Sequence, residues 1–154
     1  MNAEQLTRHP EGKWSTVQVL EHLYLSYSGT VKGFERSLEA GKPLARAPML
    51  KDRASAFIVI GLGYLPGGRQ APERTRPRGM AVDEVTRGIA PQIVAMDRVI
   101  TECEARFGKP TRLLDHPVLG PLTARQWRIF HWVHGRHHLK QIAELRRGPG
   151  MEGN

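Results

Sequence analysis

Two short segments carry the signature of a helix start, and they constrain the fold more than any other feature of the chain. Ser15 is followed three residues later by Gln18, and Thr123 stands in the same relation to Gln126. In this arrangement, a capping box, each side chain bonds to the backbone N–H of the other residue and so satisfies the first turn of a helix. The sequence therefore predicts one helix from residue 15 and another from residue 123.

The segments behind both capping boxes repeat apolar residues with a helical period, which indicates two long amphipathic helices. Gly41 ends the first run, and the last run ends near Arg147, before Gly148 and Pro149. The apolar positions of the first run are Leu20, Leu23, Tyr27, Val31, Phe34 and Leu38.

The middle of the chain has weaker patterns, but two further helices are expected there. One runs from about Asp83, as its cap, to Phe107, and contains Pro91, which should kink it or delay its regular start. The other runs from about Pro48 to Ile60. Its stretch AFIVIG could also form a buried strand, but the sequence offers such a strand no partner.

The remaining segments are expected to be connections. Residues 66–80 are rich in Pro, Gly and Arg, and we expect a solvent-exposed, mobile loop. The segment LLDHPVLGP, residues 113–121, is expected to be a rigid connector. Four helical segments and no reliable strand predict an all-α fold: one domain over residues 1–154, built as an antiparallel four-helix bundle.

Composition excludes several classes of protein. The 154 residues carry a net charge of +8 and a single cysteine, Cys103, so an internal disulfide is excluded and a structural thiol is expected. No apolar run approaches the ~18 residues needed to span a membrane. Residues 1–14 lack the apolar core of a signal peptide, and a cytoplasmic protein is therefore expected. Nucleic acid is not a favoured partner, because the basic residues accompany no known binding motif.

Four of the seven histidines fall within residues 131–138, and two of them have the spacing of a metal site. His134 and His138 are one helical turn apart, on a face shared with apolar residues such as Trp127 and Ile142. Imidazoles so placed can converge on one ion at ~2.0–2.1 Å each. Two other interpretations stay open: hydrogen-bonded core histidines and a pH-dependent switch.

The first helix offers a third ligand, His22. Its face also carries Ser26, Gly29 and Gly33, and such small residues leave room for a ligand or for a closely packed helix. Three protein ligands with an open fourth position are typical of catalytic zinc. The alternative is that this face is simply the crowded side of a helix pair.

Two segments resemble a known superfamily: WSTVQVLEHL, residues 14–23, and HPVLGPLTARQWRIFHWVHGRHHLKQI, residues 116–142. They are similar to the DinB-like, YfiT-like metal-binding four-helix bundles, and closest to a branch known only as a domain of unknown function. The resemblance implies that His22, His134 and His138 bind a divalent metal. It further implies that three residues lie in the second shell or the pocket wall: His131, His137 and Gln141.

The chain departs from the branch at three positions. Gly135 and Arg136 stand where a larger and an acidic residue are expected, and Leu119 replaces an aromatic residue. The missing acid leaves open what orients His137. Gly135 in mid-helix costs roughly 1 kcal/mol relative to alanine, which predicts close packing or cavity space opposite it.

The resemblance implies a metal-dependent transferase that uses a low-molecular-weight thiol, or a hydrolase, acting on a small molecule. Imidazole ligands suit zinc, our first expectation, and nickel. The residues leave open whether the protein is an enzyme or a non-enzymatic module that binds metal or a small ligand. No general base is identifiable, because Glu21 should point about 100° away from His22 and is expected to be a surface carboxylate. Nothing in the sequence decides between a monomer and a homodimer.

Overall fold

The computed structural model of the chain describes residues 6–8, 12–65 and 70–147. Four α-helices and one two-stranded antiparallel sheet are defined within them. In chain order these are α1 (Thr16–Ala40), α2 (Leu50–Ala56), α3 (Val82–Phe107), β1 (Arg112–His116), β2 (Gly120–Thr123) and α4 (Ala124–Arg147). A π-helical turn, Phe57–Gly61, continues α2, and Glu73–Thr75 form a 3-10 turn. The fold is therefore predominantly helical, as the sequence predicts.

Both predicted capping boxes are present. At the start of α1 the Ser15 N–H donates to Gln18 Oε1 at 2.8 Å, and the Gln18 N–H donates to Ser15 Oγ at 3.3 Å. Thr123 and Gln126 repeat the pattern at the start of α4, at 3.0 and 3.3 Å. Gly41 ends α1 in the left-handed conformation with φ of 65°, which a residue without a Cβ adopts at no steric cost.

The two middle helices are also present, with one correction at a terminus. The AFIVIG stretch is helical, as predicted, and passes from α2 into the π-helical turn. The helix α3 begins at Val82 after Ala81, so the prediction of Asp83 as its cap is wrong. The Asp83 carboxylate instead pairs with Arg87 one turn later, at 3.0 Å. The helix continues through Pro91.

The expected rigid connector is a β-hairpin, a small sheet that the predicted all-α fold did not include. The side chains of Leu113 in β1 and Leu122 in β2 are buried in the core. The turn is held by His116, whose Nδ1 accepts the backbone N–H groups of Val118 and Leu119, each at 3.1 Å. The sequence shows little of this, because the strands have only five and four residues and no full alternating pattern.

The hydrophobic core joins α1, α3 and α4 with the hairpin. The contacts between α1 and α3 are the most extensive, and α4 packs on both helices. Cys103 of α3 is fully buried and its Sγ lies 3.6 Å from the carbonyl oxygen of Phe34. Burial raises the pKa of this thiol to about 11, so it is a packing group and not a thiolate. Among the described helices, none combines the length and apolar character needed to cross a bilayer.

Candidate metal centre

Three histidines from two helices converge inside the protein. His22 comes from α1, and His134 and His138 come from successive turns of α4; all three are buried. The Nε2 atom of His134 lies 3.0 Å from Nε2 of His22 and 3.0 Å from Nε2 of His138. One ligand atom from each ring lies within 4.8 Å of the other two. The sequence predicted this convergence, and the structure has it.

In two of the rings, the nitrogen away from the centre forms a hydrogen bond. This bond determines that the other nitrogen faces the centre with a lone pair. His22 donates its Nδ1–H to the carbonyl oxygen of Thr75 at 2.7 Å, and His138 donates its Nδ1–H to Gln141 Oε1 at 2.6 Å. A neutral imidazole carries one proton, so both Nε2 atoms are unprotonated acceptors. Partners of this kind fix ring orientation in metal sites. Among the described residues, Nδ1 of His134 has no such partner.

The charge state of the cluster follows from its burial. Burial lowers the pKa of His22, and it lowers that of His138 to about 4 despite the opposing bond from Gln141. The pKa of His134 lies well below its usual value, first because of burial and then because a charge on His138 or His22 would repel a second charge. All three rings are therefore neutral near pH 7, which is the form that binds metal ions.

This arrangement of neutral rings is electrostatically incomplete. His22 and His138 each direct a lone pair at Nε2 of His134, which can donate at most one hydrogen. At least one lone pair therefore faces another nitrogen without a proton between them. A cation between the three nitrogens removes this repulsion, and the ligand set of three imidazoles suits zinc or nickel. The residues present thus fit a divalent metal.

The loop that precedes α3 covers the His22 side of the cluster. Glu21 is almost fully buried, with 1% of its surface exposed, and its carboxylate accepts the backbone N–H groups of Arg78 at 2.5 Å and Gly79 at 3.2 Å. The expectation of a surface carboxylate is therefore wrong. The side chains of Arg74 and Arg76 are exposed, as predicted, but the backbone between them is docked on α1. The mobility predicted for residues 66–80 stays a prediction, and residues 66–69 lie outside the described part.

A cavity of about 1400 Å³ opens beside the cluster, and the three predicted pocket residues line it. His131 is buried, and its Nε2 lies 3.0 Å from Thr30 Oγ1. His137 is partly exposed, and Gln141 binds His138 as described. The structure therefore places all three beside the cluster.

The small residues near the cluster have different roles. A Cβ on Gly29 would meet nothing within 4 Å, so this position leaves open space in the cavity. A Cβ on Gly33 would lie 2.5 Å from Leu114 Cδ2, so this glycine admits the hairpin. A Cβ on Gly135 would lie 3.3 Å from the Tyr27 hydroxyl, which is the close packing predicted for a mid-helix glycine.

Sequence reasoning missed four residues of the site. The Thr75 carbonyl and the Thr30 hydroxyl give no signal in a sequence, because any residue has a carbonyl and a threonine in a helix is common. Phe130 was not predicted to belong to the site, yet its ring stacks on His134 with centroids 5.2 Å apart. His116 was not predicted to belong to it either, although its ring lies 4.2 Å from that of Phe130.

The fold and the cluster together define a class: a predominantly helical protein with a buried three-histidine site open to a large cavity. Residues 2–145 match the family described as "Protein of unknown function (DUF1569)", and the chain belongs to this family. No curated protein and no solved structure matches the chain.

Proposed function

We propose that the protein binds one divalent metal ion through His22, His134 and His138. The observation that carries the proposal is the convergence of three Nε2 atoms, two of them fixed as lone-pair donors by Thr75 and Gln141. Zinc is the first expectation and nickel the second, because both bind imidazole readily.

We further propose that the protein is a DinB-like, YfiT-like four-helix bundle and acts in the cytoplasm as a metal-dependent enzyme on a small molecule. The motif at residues 116–142 supports the first statement, together with long helices α1, α3 and α4 that pack on one another. The large cavity supports a small-molecule substrate, because sites of this kind are concave and mostly preformed.

The chemistry proposed is group transfer to a low-molecular-weight thiol, or hydrolysis. A divalent ion held by three neutral imidazoles leaves a coordination position open and lowers the pKa of a bound thiol or water, which supplies a nucleophile near neutral pH. The chain's own contribution is to hold three rings in one geometry and to exclude bulk water from them. All three rings are at least 93% buried, His134 being the most exposed at 7%.

Metal analysis of untagged protein tests the ion. After equilibration with limiting Zn²⁺ or Ni²⁺ and removal of free metal, we expect about one ion per wild-type chain. His138→Ala should lose the ion, whereas His137→Ala, the matched control one residue away, should retain it because its ring lies outside the cluster. Equal metal content in the two variants, or a wild-type chain without metal, would contradict the proposal.

A second measurement separates the enzyme from the alternative, a non-enzymatic module that holds metal or a small ligand. A thiol such as glutathione is supplied with an electrophilic aromatic chloride, and consumption of the thiol is followed. Turnover that stops with chelator and is absent in His138→Ala supports the transferase. Tight metal binding without turnover of any supplied electrophile or ester supports the binding module instead. Salt-sensitive DNA binding that chelator does not change would support neither.

A further inference from the structure

His116 presents an unused hydrogen-bond donor to the same cavity. Its Nδ1 accepts two backbone N–H groups in the hairpin turn, so the single proton of the ring must lie on Nε2. Among the described residues, no partner for this Nε2–H is found. His116 also lines the cavity.

The surroundings of His116 keep this donor in place. The ring packs against Phe130 at 4.2 Å and Trp127 at 5.5 Å between centroids. Burial lowers the pKa of His116 to about 4, so at neutral pH the ring stays a neutral donor and does not become a cation. Phe130 contacts His116 and also stacks on His134. One aromatic ring therefore separates this donor from the three-histidine cluster.

The charges around the cavity indicate which kind of ligand this donor would bind. Six basic side chains line the cavity, and none of them forms an ion pair with a described residue. Of the two acidic residues that line it, Asp115 lies 3.9 Å from Arg46, and only Glu144 is without an ion pair to a described residue. An excess of one sign of charge in a concave site raises the local concentration of ligands of the opposite sign. The basic residues are Arg8, Lys13, Arg36, Arg74, Arg76 and Arg147.

We propose that the cavity wall at His116 binds an anionic oxygen of the substrate, a carboxylate or a phosphate monoester, through its Nε2–H. The proposal rests on the proposed function in that it assigns the charge of that function's substrate. The donor holds the anionic group at one side of Phe130 while the rest of the molecule reaches the histidine cluster at the other. The basic side chains that line the cavity attract the anion and add no fixed geometry of their own.

Three probes of similar shape test the charge preference: phenylacetate, phenyl phosphate and phenylacetamide. They are titrated into chelator-treated protein, so that no ion can recruit the anions. The indole N–H signals of three tryptophans report the position of binding in ¹H–¹⁵N spectra. Trp127 lies beside His116, Trp14 lies 5.3 Å from His22, and Trp132 is 59% exposed and stacked on Arg136, which makes it the control.

We expect at least one anion to shift the Trp127 signal saturably while the Trp132 signal stays in place. The amide should bind at least tenfold more weakly than that anion, because a hydrogen bond to a charged acceptor is stronger than one to a neutral acceptor. The tighter of the two anions identifies the head group. Equal affinity of amide and anions, or shifts confined to Trp14, would overturn the proposal, even if the protein binds metal as proposed.

The variant His116→Asn withdraws the donor from the cavity, because the Asn NH₂ ends short of the position of Nε2. It keeps the turn, because an Asn Oδ1 can accept the two backbone N–H groups that Nδ1 now accepts. We expect about a tenfold weaker affinity for the anion and unchanged zinc content. Arg87→Gln is the matched control for charge, since Arg87 is exposed and does not line the cavity. Unchanged anion affinity in His116→Asn contradicts the proposal. Should this variant fail to fold, the comparison of anion and amide on the wild-type chain still decides it.

Discussion

Two groups of histidines line one cavity and differ in which ring nitrogen carries the proton. In the first group, His22 and His138 donate at Nδ1 and direct lone pairs inward. In the second group, His116 accepts at Nδ1 and keeps its proton on Nε2. His131 also keeps its proton on Nε2, because Thr30 Oγ1 already donates to the Ser26 carbonyl and can only accept from the ring.

Burial alone does not decide the chemistry of the two groups, because one member of each is buried to the same extent. His131 and His138 are 4% and 6% exposed, and the pKa values of both are lowered mainly by burial, to about 3 and about 4. What differs is the partner at Nδ1, which is an acceptor for His22 and His138 and a pair of backbone N–H donors for His116. The partner therefore separates rings suited to a cation from rings suited to a hydrogen-bond acceptor.

The largest effect should come from acid, which acts on both groups at once. The unfolded chain takes up protons at its histidines near pH 6.5, whereas folded His116 and His131 stay neutral until about pH 4 and about pH 3. A lowered folded pKa gives stability that is full above pH 6.5 and is lost as the pH falls below it. The shift of His116 alone corresponds to about 3 kcal/mol.

Urea unfolding of chelator-treated protein at pH 7.5, 6, 5 and 4 measures this loss. We expect the free energy of unfolding to be constant above pH 7 and to fall progressively below pH 6.5. Zinc-loaded protein should also release its ion as the pH falls, because protons compete for the ligand nitrogens. A stability that rises on acidification would show that the rings are not buried as neutral groups.

The next effect should be confined to the first group. Gln141→Leu removes the acceptor that orients His138, and the loss of such a partner typically costs 10- to 100-fold in metal affinity. Gln141→Glu keeps an oxygen at the same distance from the ring and should retain tight binding. Competition with a coloured chelator measures both affinities. Equal affinities in the two variants would mean that Gln141 does not position the ring.

The first group of histidines could be predicted from the sequence to a greater extent than the second, for a physical reason. His134 and His138 lie one turn apart on one helix, so their juxtaposition follows from helical geometry alone. His22 could be added because α1 has its own capping box and the motif resemblance covers it. The antiparallel arrangement of the bundle, which was inferred from the sequence, stays a prediction. The environment of His116 depends on a hairpin of two short strands, and its partners are backbone groups, which a sequence does not display.

The loop that precedes α3 could likewise be predicted only in part from the sequence. Glu21 precedes His22, and helical geometry correctly turns it away from the cluster, but the sequence does not show that residues 78 and 79 meet it there. A composition rich in Pro, Gly and Arg predicted exposure, which holds for the arginine side chains. The Thr75 carbonyl reaches His22 because the same segment is held on α1 by this buried carboxylate.

Glu21→Gln should therefore act on the first group through the loop. The amide can accept one of the two N–H groups but meets the other with its own NH₂, so we expect a loss of about 2 kcal/mol in stability. Metal affinity should fall severalfold, because the Thr75 carbonyl is held less firmly against His22. Hydrogen exchange at the Arg78 and Gly79 amides should become faster. Glu39→Gln, an exposed position on the same helix, serves as the control. Unchanged exchange at both amides would contradict the role given to Glu21.

The smallest effect should be confined to the second group of histidines. It is the sharpest test of whether the two groups act separately. Thr30→Val is nearly isosteric and removes the only acceptor that the described residues offer to His131 Nε2. A hydrogen bond between neutral groups contributes about 0.5–1.5 kcal/mol, and its loss leaves a ring N–H without an acceptor among the described residues, since Nδ1 of His131 is also buried without a partner there. The variant should lose about 1 kcal/mol in stability and keep its zinc affinity.

The matched control for this variant is Thr86→Val. Thr86 is exposed on α3 and its hydroxyl donates to the carbonyl four residues earlier, at 2.8 Å, as Thr30 does at 3.1 Å, but no imidazole bonds to it. Subtracting its effect isolates the bond to His131 from the bond within the helix. If Thr30→Val lowers zinc affinity as much as Gln141→Leu does, the two groups of histidines act as one network. The donor that His116 offers would then have to be interpreted as part of the metal site.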